Sequence, residues 1–221
     1  MLRELVTLPC VDREGDSVAV RYGKKLVRLP LRAMIALRLA ANRDLPWMAP
    51  GAVARLREYL EPSMTGFEWG SGGSTAFLGR RLAELTSVEH DAGWYAVVHE
   101  RLANGTVNNV NLALVPPGHS ENADAETEWD LDGYVPRKPE FSAYFNYIRR
   151  FDDAFFDLVV VDGRARVACV INAASKVKPR GVLLLDNTER SEYREASDRL
   201  KTWEKTVYTD WMTETTIFQR P

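Results

Sequence analysis

Cysteine is nearly absent: Cys10 and Cys169 stand far apart and form no Cys-x-x-Cys pair. That excludes a disulfide framework and a thiolate zinc site, and it suits a reducing compartment. No run approaches 18 uninterrupted apolar residues, so no membrane span is predicted. Met1-Leu2-Arg3-Glu4 leads into polar sequence and not into a signal-peptide core, and a cytoplasmic soluble protein is the expectation. Neither sign of charge is in excess. With 29 basic and 31 acidic residues the net charge is −2, which leaves no global field to draw in nucleic acid or anionic lipid. The 221 residues suffice for one large α/β domain with an appendage.

What is present centres on Gly66-Phe67-Glu68-Trp69-Gly70-Ser71-Gly72-Gly73-Ser74-Thr75. An apolar run ending in an acid, glycines among small residues and then an amphipathic run spell strand, tight turn and helix. Glycine permits positive φ at the turn and lets a ligand approach main-chain amides at the helix start. Leu78, Leu82 and Leu85 recur at helical spacing beyond it. The next short apolar run, Leu85 to Glu89, ends in a carboxylate placed to accept the hydroxyls of a ribose. No Gly-Lys-Ser/Thr triplet follows the turn, and Thr75 stands where the strict dinucleotide pattern wants a third glycine. The motif therefore points away from ATP and NAD.

Around this motif, residues 1–30 alternate as a β-hairpin about Gly23-Lys24-Lys25, and 31–42 read as a helix closed by Asn42. This 1–49 extension is expected to cover the main sheet or a neighbouring subunit in a homodimer. Trp47, in a breaker segment, reads as a packing residue or as a cap over the site. From residue 50 to 221 strands and helices alternate: helices over 51–60 and 94–102, strands over 110–115, 155–162 and 182–187, and an aromatic helix marked by Phe141, Tyr144, Phe145 and Ile148. A helix carrying Tyr193, Ala196, Leu200 and Trp203 then precedes two runs, 205–209 and 214–218, expected as a closing antiparallel pair. The 118–140 stretch holds six acids from Glu121 to Asp132, with His119, Trp129 and Tyr134, and reads as an acidic loop insert. Alternation of this kind demands right-handed crossovers and a mostly parallel sheet.

The runs Glu68-Trp69-Gly70-Ser71-Gly72 and Val88-Glu89-His90-Asp91 resemble the first two cofactor motifs of the class I S-adenosylmethionine-dependent methyltransferases. The resemblance covers about residues 50 to 221. It implies an α/β Rossmann-like fold with a mostly parallel seven-stranded sheet, helices on both faces and an antiparallel C-terminal strand. It also implies that Glu68, Gly70, Ser71, Gly72, Ser74 and Thr75 line the cofactor, that Glu89 holds its ribose, and that His90 is available to the adenine. The family's acid after the third strand has no counterpart beyond Val115.

Asp162 and Asp186-Asn187 further resemble the arrangement in cation-dependent O-methyltransferases, where such residues hold Mg²⁺. Two carboxylates and an amide are hard oxygen donors that suit that ion. The alternative is that Asp162 and Asp186 merely cap the turns that follow them. Where those enzymes carry a lysine base, this chain reads Gly163-Arg164-Ala165-Arg166, so proton removal falls to Asp162, His119 or solvent. The expected activity is methyl transfer from S-adenosylmethionine to a hydroxyl, or in second place an amine, of a small molecule. A non-catalytic cofactor-binding module, an aminopropyl transferase and an NAD enzyme are the alternatives.

Overall fold

The computed structural model describes residues 45–118, 131–209 and 213–221. The expected N-terminal hairpin and helix, and most of the acidic insert with His119 and Trp129, lie outside those residues.

Helix α1 (Pro50–Tyr59) opens on a proline, whose fixed φ suits the first helical position and whose missing N–H leaves no donor unpaired there. It is followed by β1 (Thr65–Trp69), α2 (Gly73–Gly79), β2 (Glu84–Glu89), α3 (Ala92–Asn104) and β3 (Val110–Leu114). After the insert come α4 (Ser142–Phe145), β4 (Phe156–Val161), α5 (Arg166–Ala173), β5 (Val177–Asp186), α6 (Arg194–Arg199), β6 (Glu204–Thr209) and β7 (Glu214–Gln219). The strands form one seven-stranded sheet in the order β3-β2-β1-β4-β5-β7-β6. Pairing is parallel from β3 to β5, and β7 runs antiparallel to both β5 and β6. The chain leaves β1 toward one edge and returns beside it as β4. Strand order thus reverses at the carboxyl ends of β1 and β4, where open α/β sheets bind their ligands.

Period-two alternation divides the core. Val159, Val161, Leu183 and Leu185 face a cluster with Phe67, Trp69, Tyr144, Phe145 and α5, while Leu158, Val160, Val182 and Leu184 face α1, Phe77 and Leu78 on the other side. All eight of these β4 and β5 residues are buried, as are Phe67 and Trp69 of β1. Strands covered on both faces read as continuous apolar runs, which is why β4 and β5 stand out in the sequence. Among the described residues no helix is long and apolar enough to cross a membrane.

Several elements depart from the sequence expectation. Helix α2 ends at Gly79, so Leu82 and Leu85 lie beyond it, on the turn and on β2. Strand β5 starts at Val177 and takes in Lys178, Pro179, Arg180 and Gly181; a register shift against β4 between Phe156 and Leu158 accommodates the extra backbone. The aromatic helix is broken into a 3₁₀ turn (Pro139–Phe141), α4 and a second 3₁₀ turn (Tyr147–Arg150). Tertiary bonds compete with its helical ladder: Asn172 Nδ2 donates to the Phe145 carbonyl, and Trp69 Nε1 donates to the Tyr144 carbonyl at 2.9 Å. The helix before β6 likewise shortens to α6 and leaves Trp203 outside.

Trp69 is fully buried, with its ring edge-on to Phe67 at 4.5 Å. Trp69→Phe is expected to lower unfolding free energy by about 1–3 kcal/mol, because the Tyr144 carbonyl is left buried without its donor. Urea denaturation measures this, and an unchanged midpoint would show that the bond contributes nothing.

Candidate functional site

The turn after β1 is shaped by Gly70, at φ +92°, in the left-handed region that favours glycine. A Cβ there would also lie 2.8 Å from the Gly163 backbone, so the turn rests directly on the loop that leaves β4. Gly72 differs. Its φ of 174° is open to any residue, and a Cβ built on it meets nothing within 4 Å. The space beside Gly72 is therefore left free by the protein's own packing.

Glu89, 2 % exposed at the end of β2, reaches this turn. Its Oε2 accepts from the Ser71 amide at 3.1 Å and the Ser71 hydroxyl at 2.8 Å. Its Oε1 accepts from the His90 and Asp91 amides at 2.8 and 2.9 Å. The two motifs singled out in the sequence thus meet through one carboxylate. His90 Nδ1 lies 2.8 Å from Glu89 Oε1 yet is out of line for a hydrogen bond, and the ring packs beside Phe141 and Tyr144. Asp91 caps α3 by accepting from the Trp94 amide.

Glu68 is fully buried behind the turn. Its Oε2 accepts from the Thr75 hydroxyl at 2.7 Å and the Ser87 hydroxyl at 2.8 Å. The Thr75 hydroxyl in turn accepts from the Gly72 amide. The Thr75 side chain is therefore turned inward to Glu68, and what it can offer a ligand is backbone. Burial holds the Glu68 carboxyl above its usual range, against the pull of its hydroxyl donors, and the Glu89 charge adds to the rise.

Among the described residues three buried side-chain polar atoms lack a hydrogen bond: Glu68 Oε1, His90 Nδ1 and the Tyr144 hydroxyl. Buried polar atoms are nearly always paired, and these three belong to residues grouped at the strand-order reversal. The Tyr144 hydroxyl is held there by Gly163, on which any Cβ would lie 1.9 Å from it. Helical spacing marks Tyr144 as a core aromatic and Trp94 as an ordinary helix residue. Trp94 is 44 % exposed, and its Nε1 donates to the Ser71 carbonyl at 2.7 Å. Its spacing on the apolar face of α3 carried no signal of that bond.

The residues expected to hold a metal do not fit one. Arg166 inserts its guanidinium between them: Nη2 donates to Asp162 Oδ1 at 2.9 Å, and Nη1 donates to the Asp186 carbonyl and lies 4.0 Å from Asp186 Oδ2. Asp186 Oδ1 accepts from the Thr215 hydroxyl, and Asn187 Nδ2 donates to Thr213. Among the described residues no group of three or more His, Cys, Asp or Glu could hold a metal ion. A fixed positive charge at this distance repels a divalent cation. Burial raises both aspartates above their ordinary range; Arg166 opposes the rise in each, and the Asp162 charge adds to it at Asp186.

No family model and no curated protein matches this sequence. Solved structures do match its fold. One is a Streptococcus mutans protein in complex with SAH, at TM-score 0.55 and 9 % identity over 78 % of this chain and 98 % of that one. A methyltransferase-like protein of Silicibacter pomeroyi matches at 0.54 and 24 % identity, over 81 % and 91 % of the two chains. An rRNA methylase of Streptococcus thermophilus matches at 0.51 and 15 %, over 80 % and 99 %. The chain has the Rossmann-like fold of the class I S-adenosylmethionine-dependent methyltransferases.

Because Glu68 keeps its proton better in the folded than in the unfolded chain, its contribution to stability is full below about pH 4.5 and is lost as pH rises through its raised value. Glu68→Gln keeps an acceptor for Thr75 and Ser87 without the charge. Its melting temperature is expected to fall less than the wild type's as pH rises above about 4.5. Parallel melting curves across that range would rule out a raised Glu68.

Proposed function

We propose that this protein transfers the methyl group of S-adenosylmethionine to a hydroxyl of a small-molecule acceptor. The observation that carries the reading is the meeting of Glu89 with the Ser71 amide at 3.1 Å beside the open space at Gly72. The cofactor supplies an activated sulfonium methyl, and the protein's part is chiefly positioning.

In this reading the Gly70-Ser71-Gly72 turn passes beneath the amino-acid portion, with the open side of Gly72 giving it room, and the ribose hydroxyls exchange with the Ser71 hydroxyl for Glu89 Oε2. His90 and the exposed Trp94 ring flank the adenine. The unpaired Tyr144 hydroxyl and Glu68 Oε1 gain partners from the ligand or from water it orders. Asp162, at the end of β4 with 22 % of its side chain exposed, is the group placed to take the acceptor's proton. His119 shares that assignment from the sequence. The small-molecule acceptor is favoured by the charge of the whole chain: a net −2 offers no global field to hold a phosphate backbone.

Gly72→Val tests the cofactor reading directly. Extended φ and open space predict a melting temperature near wild type, while affinity for S-adenosylhomocysteine falls at least about a hundredfold, or about 2.7 kcal/mol. Isothermal titration calorimetry reads both chains, and equal affinities would overturn the assignment. Turnover measured against a panel of small hydroxyl compounds, amines and bulk rRNA then decides the acceptor. Binding without turnover would leave a non-catalytic module, and methylation of rRNA alone would replace the small molecule.

A further inference from the structure

We propose that Arg166 is a built-in cation that closes the β4–β5 end of the rim to metal ions. Its side chain is 7 % exposed and carries bonds to three residues. Nε donates to the Gly163 carbonyl at 3.0 Å, Nη2 donates to the carbonyl and to Oδ1 of Asp162 at 3.0 and 2.9 Å, and Nη1 donates to the Asp186 carbonyl. The Tyr193 ring lies 5.1 Å from the guanidinium carbon. Burying a charge is costly unless its donors are matched, and this one is matched by three carbonyls and a carboxylate.

The position is specific to arginine. A planar fork can serve the ends of two adjacent strands at once, and the group stays charged at every working pH, whereas a lysine ammonium offers a single point of charge. A divalent ion bound by both Asp162 and Asp186 would sit where the guanidinium nitrogens already lie, 2.9 Å from one carboxylate and 4.0 Å from the other. Arg166 also fixes the loop after β4 through Gly163. That loop forms the wall against which Gly70 turns, with a Gly163 Cβ meeting the Gly70 amide at 3.1 Å. The same side chain therefore excludes the metal and braces the glycine turn.

The test uses the full chain and metal ions alone, so its outcome is independent of whether the methyl-transfer reading holds. Mn²⁺ is titrated into wild type, Arg166→Ala, Arg166→Lys and the double variant Arg166→Ala/Asp186→Asn, with the free-ion electron paramagnetic resonance signal and the melting temperature as readouts. Wild type and Arg166→Lys are expected to leave the Mn²⁺ signal and the melting temperature unchanged. Arg166→Ala is expected to bind the ion with a dissociation constant of about 10⁻⁴ to 10⁻³ M, the range of weak carboxylate sites, and to melt higher with it. The double variant is expected to lose both effects. Should Arg166→Ala fold only when Mn²⁺ or Ca²⁺ is added, that rescue supports the proposal equally. Wild type binding Mn²⁺ in a manner abolished by Asp186→Asn would overturn it, as would a folded Arg166→Ala that binds no ion.

Discussion

One carboxylate holds the functional end of this molecule together. Glu89, at the carboxyl end of β2, receives four hydrogen bonds from Ser71, His90 and Asp91, and so joins the turn after β1 to the start of α3. A buried carboxylate satisfied by main-chain donors has its negative charge spread over fixed dipoles, which makes it tolerable away from water. Those bonds position the Ser71 carbonyl to accept from Trp94 and leave the Gly72 side facing open space. Without that carboxylate the turn and α3 would lose their common anchor.

The rim divides electrostatically into two halves. Around β1 and β2 lie Glu68 and Glu89, which accept from hydroxyls and amides. Around β4 and β5 lie Asp162 and Asp186, served by Arg166. The first half has unpaired buried atoms close by, and the second has its carbonyls and its best-buried carboxylate occupied. A ligand therefore gains more hydrogen bonds on the β1–β2 side, while the β4–β5 side contributes the partly exposed Asp162 at its border. Gly163 links the halves, since the Tyr144 hydroxyl, the Gly70 turn and the Arg166 side chain all converge on it.

Much of the architecture was legible before folding, because it rests on local signals. The apolar runs of β4 and β5, the glycines flanking Ser71 and the acids ending β2, β4 and β5 each follow from period, turn chemistry or burial within a few residues. What failed was legible only locally in appearance. The aromatic run at 141–148 has helical spacing, yet Asn172 and Trp69 take its carbonyls and break it. Asp162 and Asp186-Asn187 carry the residue types of a metal site, yet Arg166, four residues past Asp162 and the first residue of α5, fills the gap.

The amino-acid sequence by itself determined the order of strands and helices, the glycine turn and the carboxylates that end β2, β4 and β5, since periodicity and backbone freedom act over short stretches of chain. Only the tertiary structure decided what each carboxylate faces. Glu68 meets hydroxyls, Glu89 meets amides, and Asp162 meets a guanidinium that also bonds the Asp186 carbonyl but stays 4.0 Å from its carboxylate. Those partners come from separate elements brought together by the crossovers, and the chemistry of a buried charge depends on its neighbours in space.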